Sequence, residues 1–192
     1  MLEVDIYQTL ENRQNEEEIK KHGPYLCSSL NSDGSRKRGK MEPWLGEGYY
    51  FWDTRIGDAK WWGDTVYKER GYIVCHTKYD QHSPLLYDLV GNIALFEQFV
   101  NYAQVIKDES QQRVITVATV VWFLRKQTSF KYKAIRMWPS PQDPQKTGIV
   151  FCDSKYKLIR AEKIQICFFD KTLLTRPYEI ICTQIPMQHQ TI

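Results

Sequence analysis

The sequence predicts an α+β domain, and three observations carry that expectation. Short β-branched and aromatic runs (Val4–Leu10, Tyr72–Thr77, Tyr132–Trp138) mix with stretches of helical spacing, without a regular strand-helix-strand repeat. The chain is aromatic-rich, 14% of residues with 6 Trp and 12 Tyr, which favours sheet and a cleft that takes a flat ring. With 192 residues, 42% of them apolar, it is long enough to bury one sizeable core, and no linker or internal repeat divides residues 1–192.

Taken in order, Val4–Leu10 reads as the first strand. Asn12–Lys21 reads as a polar helix capped by Asn12, with Glu16–Glu18 ahead of Lys20 and Lys21, and His22–Gly23–Pro24 ends it. Leu30–Pro43 is a loop rich in Ser, Gly and basic residues. Tyr49–Trp52 is an aromatic strand, and Asp53 or Thr54 caps a helix that runs to about Gly71. Tyr72–Thr77 is a strand. Pro84–Ile106 carries Leu85, Leu89, Ile93, Phe96 and Val100 at three-to-four spacing and reads as one long helix, slightly weakened by Gly91. Ser110–Arg125, capped by Asp108 or Ser110, is β-branched enough to suit a strand, but Val117, Val120, Val121 and Leu124 share a helical face, which favours helix. Strands follow at Tyr132–Trp138, Gly148–Cys152, Lys163–Phe169 and Tyr178–Thr183, with a Pro-rich loop over 139–147 and a fraying tail from Pro186.

The formal charge of +3 permits an anionic small molecule and does not by itself argue for nucleic acid. The 5 cysteines are scattered without a CxxC pair, so neither a zinc site nor a disulfide framework is expected; buried free thiols in a reducing compartment are. The first residues carry no basic leader and no long apolar core, and no run nears the ~20 apolar residues of a membrane span. The expected location is therefore cytoplasmic, away from membranes. Glycine-rich phosphate loops, HExxH and GxSxG are absent, and the histidines lack ligand-like spacing, so no metal is expected.

The chain's chemistry concentrates in Leu45–Trp62, LGEGYYFWDTRIGDAKWW. Gly46 and Gly48 open a turn where a backbone can approach a ligand closely. Tyr50 on the strand and Trp61 on the helix are placed to hold a flat ring between them, while Trp62 is expected in the core. Gly46, Gly48, Tyr50, Phe51, Asp53, Ala59 and Trp61 fall without a gap on the Gly-x-Gly-x-Tyr-Phe-x-Asp motif and following helix of the ADP-ribosyltransferase superfamily. The stretch resembles the poly(ADP-ribose) polymerase branch and its small bacterial relatives. The alternative is an ordinary aromatic strand and amphipathic helix.

That resemblance implies a fold of split antiparallel sheets with flanking helices, NAD as the substrate, no metal, and a protein or nucleic-acid acceptor. It implies a three-part site. Gln8 stands where the family commonly has His, and Thr9 where it has the Gly whose backbone holds the nicotinamide amide. Tyr50 and Trp61 wall the nicotinamide ring, and Asp58 occupies the helix position of a nicotinamide-binding Ser. The frame Gln165-Ile166-Cys167-Phe168-Phe169-Asp170 matches the family's last strand, so Gln165 replaces its Glu and faces the ribose; Glu162 is the nearest carboxylate upstream. Alternatively, Gln8 and Gln165 are polar strand residues and Asp58 is a solvated helix residue.

The replacement matters because breaking the nicotinamide–ribose bond develops positive charge. A carboxylate at ~4 Å would stabilise it by roughly 4 kcal/mol at an effective dielectric of about 20. An amide orients a hydroxyl but supplies no charge, a loss of about three orders of magnitude in rate. Gln8, Tyr50 and Gln165 thus suit either a weak transferase or an inactive nucleotide-binding or interaction module on the same fold. A second class, a protein acting on nucleic acid, has its support in the basic loop Ser35–Lys40, where Arg36, Lys37, Arg38 and Lys40 could meet phosphates or remain solvated.

Overall fold

The computed structural model describes residues 2–31, 33, 35–39, 42–110, 114–139, 148–150, 157–159 and 163–185. Along the chain these form β1 (Glu3–Glu11), α1 (Glu16–His22), β2 (Tyr49–Asp53), α2 (Ile56–Val66), β3 (Tyr72–Asp80), β4 (Leu86–Asp88), α3 (Ile93–Ser110), α4 (Val117–Lys126), β5 (Ala134–Met137), β6 (Gly148–Val150), β7 (Lys157–Ile159), β8 (Gln165–Phe168) and β9 (Leu174–Gln184). The class is α+β. Among the described residues, β4-β5-β8-β2-β1-β3-β9 make one seven-stranded sheet, and β6-β7 make a separate two-stranded ribbon. Neighbours in the large sheet are antiparallel except β4 and β5.

Strand parity divides the core in two, because successive side chains leave a strand on opposite faces. Tyr50 and Trp52 point to one face, called here the helix face, and Phe51 and Asp53 to the other. On the helix face, α3 and α4 bury Phe99, Val120, Val121 and Leu124 against Ile135 and Cys167. Beside them Ala59 of α2 covers Trp52, Tyr72 and Val74. The opposite face gathers Ile6, Phe51, Ile73, Ile166 and Phe168 under Ile19 of α1. β3 is covered on both sides, which is why Tyr72–Cys75 reads as an unbroken apolar run.

Several sequence expectations need correcting. Pro84–Ile106 is not one helix. Asp88 accepts the backbone N–H groups of Val90 and Gly91, both at 3.0 Å, closing a turn after β4. Asn92 then starts α3, its side chain accepting from Leu95 N–H at 3.1 Å. A Cβ at Gly91 would lie 2.5 Å from Asp88 Oδ2, so a larger residue there would push the carboxylate away from Arg136. The buried side of α3 runs through Phe99 and Ile106, leaving Phe96 and Val100 exposed. α4 begins later than expected, with Thr116 as its cap, accepting from Thr119 N–H at 3.1 Å. α2 has no side-chain cap; Thr54 has φ 61° and Arg55 holds the cap position. α1 likewise starts after Asn15, not Asn12. β7 was not expected. Trp62 is not core: it is 36% exposed, close to Trp61 at 39%. The tail from Pro186, the 140–147 loop, Lys40, Cys152 and Glu162 lie outside the described residues.

Sequence reading also missed a buried ionic centre. Arg136 of β5 donates through Nε to Asp53 at 2.7 Å and through Nη1 to Asp88 at 3.1 Å. Arg136 and Asp53 are both buried. Burial works against the Arg136 charge, but the two carboxylates outweigh it and its pKa sits above the ordinary value. Asp53, expected to cap α2, instead joins β2 to β5.

Candidate functional site

The strand register decides which site residues meet. Ile6 lies opposite Asp53 and Tyr7 opposite Trp52, so the even-numbered residues of β1 share a face with the odd-numbered residues of β2. Gln8 is therefore on the side of Phe51, away from Tyr50. Trp52 lies opposite Gln165, and Tyr50 opposite Cys167. Tyr50 and Gln165 share the helix face, while Gln8 points to the other.

Gln8 is 5% exposed and its amide is fully occupied. Its oxygen accepts from Tyr25 N–H at 3.0 Å and from the Tyr178 hydroxyl at 2.6 Å. Its NH2 donates to Tyr25 O at 3.1 Å and to Tyr50 O at 3.3 Å. This set uses the capacity of the group and ties the 25 loop, β2 and β9 to β1. Thr9, on the helix face, donates to Ala59 O at 2.8 Å and pins α2 to the sheet.

Tyr50 is a staple for the turn before it. Its hydroxyl accepts from Leu45 N–H at 2.8 Å and donates to Gly46 O at 2.7 Å. Burial pushes its pKa far above the ordinary phenol value, so it stays protonated. Gly46 has φ 81°, which only glycine adopts without strain. Gly48 serves close packing: a Cβ would lie 2.4 Å from Cys167 Sγ and 2.6 Å from Phe168 O. The close approach expected for a ligand is taken here by β8.

Tyr50 packs with the α4 cluster, whereas the ring contacts of Trp61 are with Trp52 and Trp62, each at 6.1 Å between centroids. Tyr50 and Trp61 belong to different packing groups: Tyr50 sits two residues back along β2 from Trp52, against the α3/α4 cluster, while Trp61 joins Trp52 and Trp62 in a tryptophan cluster. Asp58 and Trp61, one helical turn apart, instead converge on Lys163. Asp58 accepts from Lys163 N–H at 2.8 Å, and the Lys163 ammonium lies 3.5 Å from the Trp61 ring centroid. Asp58 is buried, not solvated. Lys163 has φ 60°, so the entry to β8 is a left-handed turn held by α2.

Gln165 opens β8 beside Trp52, half-buried, and its side-chain oxygen accepts from the Trp44 indole N–H. Trp44 and Trp52 thus flank the Gln165 amide on the helix face, and Trp61, with Lys163 over its ring, packs against Trp52. Such a corner offers aromatic faces, an ammonium and an amide donor, the groups that bind a flat heterocycle carrying phosphate and sugar hydroxyls. Trp44 and Lys163 were not singled out by sequence; only their flanking of recognised motifs marks them. Among the described residues, no group of three or more His, Cys, Asp and Glu is placed to hold a metal ion. No family model, curated protein or solved structure matches the chain.

Proposed function

We propose that this chain is an ADP-ribosyltransferase-like domain that binds NAD⁺ against the helix face of its sheet and turns it over slowly. The observation that supports this reading is the corner at Gln165: the residue picked out by the last-strand frame lies next to Trp52 of the tyrosine motif and is oriented by Trp44. With its oxygen committed to Trp44, Gln165 offers its NH2 to a ribose hydroxyl. It brings no charge to a developing cation, so the barrier keeps most of the roughly 4 kcal/mol that a carboxylate would remove.

The site is smaller than the one expected from sequence. Gln8, Thr9 and Tyr50 spend their polar atoms on the protein itself, which favours the binding-module reading over an efficient enzyme. Binding then rests on Trp44, Trp61, Lys163 and Gln165. The test is a titration with NAD⁺ and with nicotinamide, followed by nicotinamide release from wild type, Gln165→Glu and Gln165→Ala. Saturable binding with slow release, accelerated by Gln165→Glu, is the expected result. Wild-type release that is fast and slowed by Glu would make the glutamine itself the working group. Equal release by all three, with NAD⁺ bound, would remove Gln165 from the site.

A further inference from the structure

A second surface lies between α4 and the loop before β2. It encloses a cavity of about 490 Å³ lined by Arg36, Glu42, Glu47, Trp122, Arg125 and Lys126 among others. Trp122 is 58% exposed, on a helix whose buried side is Ala118, Val120, Val121 and Leu124. It therefore contributes little to the core and presents a large ring to solvent. The Lys126 ammonium lies 3.6 Å from that ring's centroid.

The facing loop is pre-organised. Asn31 N–H donates to Ser35 O and Lys37 N–H to Ser29 O, at 2.8 and 2.7 Å, and Leu30 and Arg36 form a β-bridge. These pairings place Arg36 in the cavity's lining, with Arg38 exposed two residues on, while the Lys37 ammonium donates to Ser28 O at 3.1 Å. Arg125 is held in place, donating to Glu47 O at 3.0 Å and lying over the Phe169 ring at 4.3 Å. Of the two lining carboxylates, Glu47 is engaged by the Ser28 hydroxyl. Glu42 is exposed and suits the exocyclic amino edge of a base.

We infer that this groove binds single-stranded nucleic acid, with a base stacked on the face of Trp122 opposite Lys126 and adjacent phosphates at Lys126, Arg36 and Arg38. An exposed aromatic among cations from two separate segments is the combination that single-strand binders use, stacking for the base and charge for the backbone. The cavity has room for about one nucleotide, within the usual range for small-ligand sites. Arg38, exposed two residues beyond the lining Arg36, offers a second phosphate contact along the chain, which favours a strand over a free nucleotide. A duplex keeps its bases stacked on one another and leaves Trp122 without a partner. None of Trp44, Trp52, Trp61, Lys163 and Gln165 lines this cavity, so it stands or falls apart from the dinucleotide reading.

The test is fluorescence anisotropy with labelled oligo-dT and oligo-rU of about 12 nucleotides, a duplex of the same length, a mononucleotide and polyglutamate, between about 50 and 200 mM salt. The single strands should bind tightest. Trp122→Ala should weaken them about tenfold, and Arg36→Gln and Lys126→Gln should each flatten the salt slope by about 0.7. Thermal melts should match wild type, since all three side chains are exposed. Four results would overturn the inference: no binding at about 50 mM salt, an unchanged Kd for a folded Trp122→Ala, a mononucleotide binding as tightly as the strand, or polyglutamate binding better than either oligonucleotide.

Discussion

Two glutamines mark the two faces of the sheet, and they differ in what surrounds them. Gln8 is buried with four hydrogen bonds, all to protein. Gln165 is half-buried at the start of a short strand, with a tryptophan N–H on its oxygen. The same side chain ties four backbone and side-chain groups together on one face and meets a single tryptophan N–H on the other. The difference comes from register, since β1 and β2 pair so that Gln8 follows Phe51 inward while Tyr50 follows Trp52 under the helices.

The contrast can be broken most severely at Arg136. Arg136→Ala leaves Asp53 with a buried, uncompensated charge and removes the cation from half-buried Asp88, and should cost about 3–5 kcal/mol in urea unfolding. A loss under about 1 kcal/mol would mean that the centre is open to water. Next comes Gln8→Ala, which strands the Tyr25 N–H and carbonyl and the Tyr178 hydroxyl. We expect a loss of about 3 kcal/mol with no change in NAD⁺ affinity of the folded protein. If affinity collapses while stability holds, Gln8 belongs to the site after all.

Smaller effects sharpen the picture. Trp61→Ala and Trp62→Ala should cost similar, modest stability, about 1–2 kcal/mol each, because both rings are more than a third exposed. Only Trp61→Ala should weaken dinucleotide binding, since Lys163 sits over that ring. Thr116→Ala removes the α4 cap and should cost about 1 kcal/mol by thermal melt without touching NAD⁺ binding.

What could be read from sequence follows from how local the determinant is. β1, β3 and the α4 face were legible because period and burial coincide within a few residues. The Asp88–Gly91 turn was not, because hydrophobic spacing runs through it and the deciding interaction is Arg136, far along the chain. The glycine motif correctly gave turn, strand and helix. The roles of its residues differed: Gly48 meets β8, Tyr50 meets its own turn, and Asp58 meets Lys163. Parity alone places Gln8 with Ile6, whose apolar side faces the core. Whether that side was also Tyr50's required the register, which no single strand encodes.

Dinucleotide binding at the Gln165 corner can be followed by an NAD⁺ titration read through the tryptophan indole N–H signals of ¹⁵N-labelled protein, assigned with single Trp→Phe variants. Saturable shifts are expected at Trp44 and Trp61, with the Trp44 signal shifting furthest as ligand meets its bond to Gln165, and no shift at Trp122. Shifts confined to Trp122, or none at any tryptophan at saturating NAD⁺, would contradict binding at that corner.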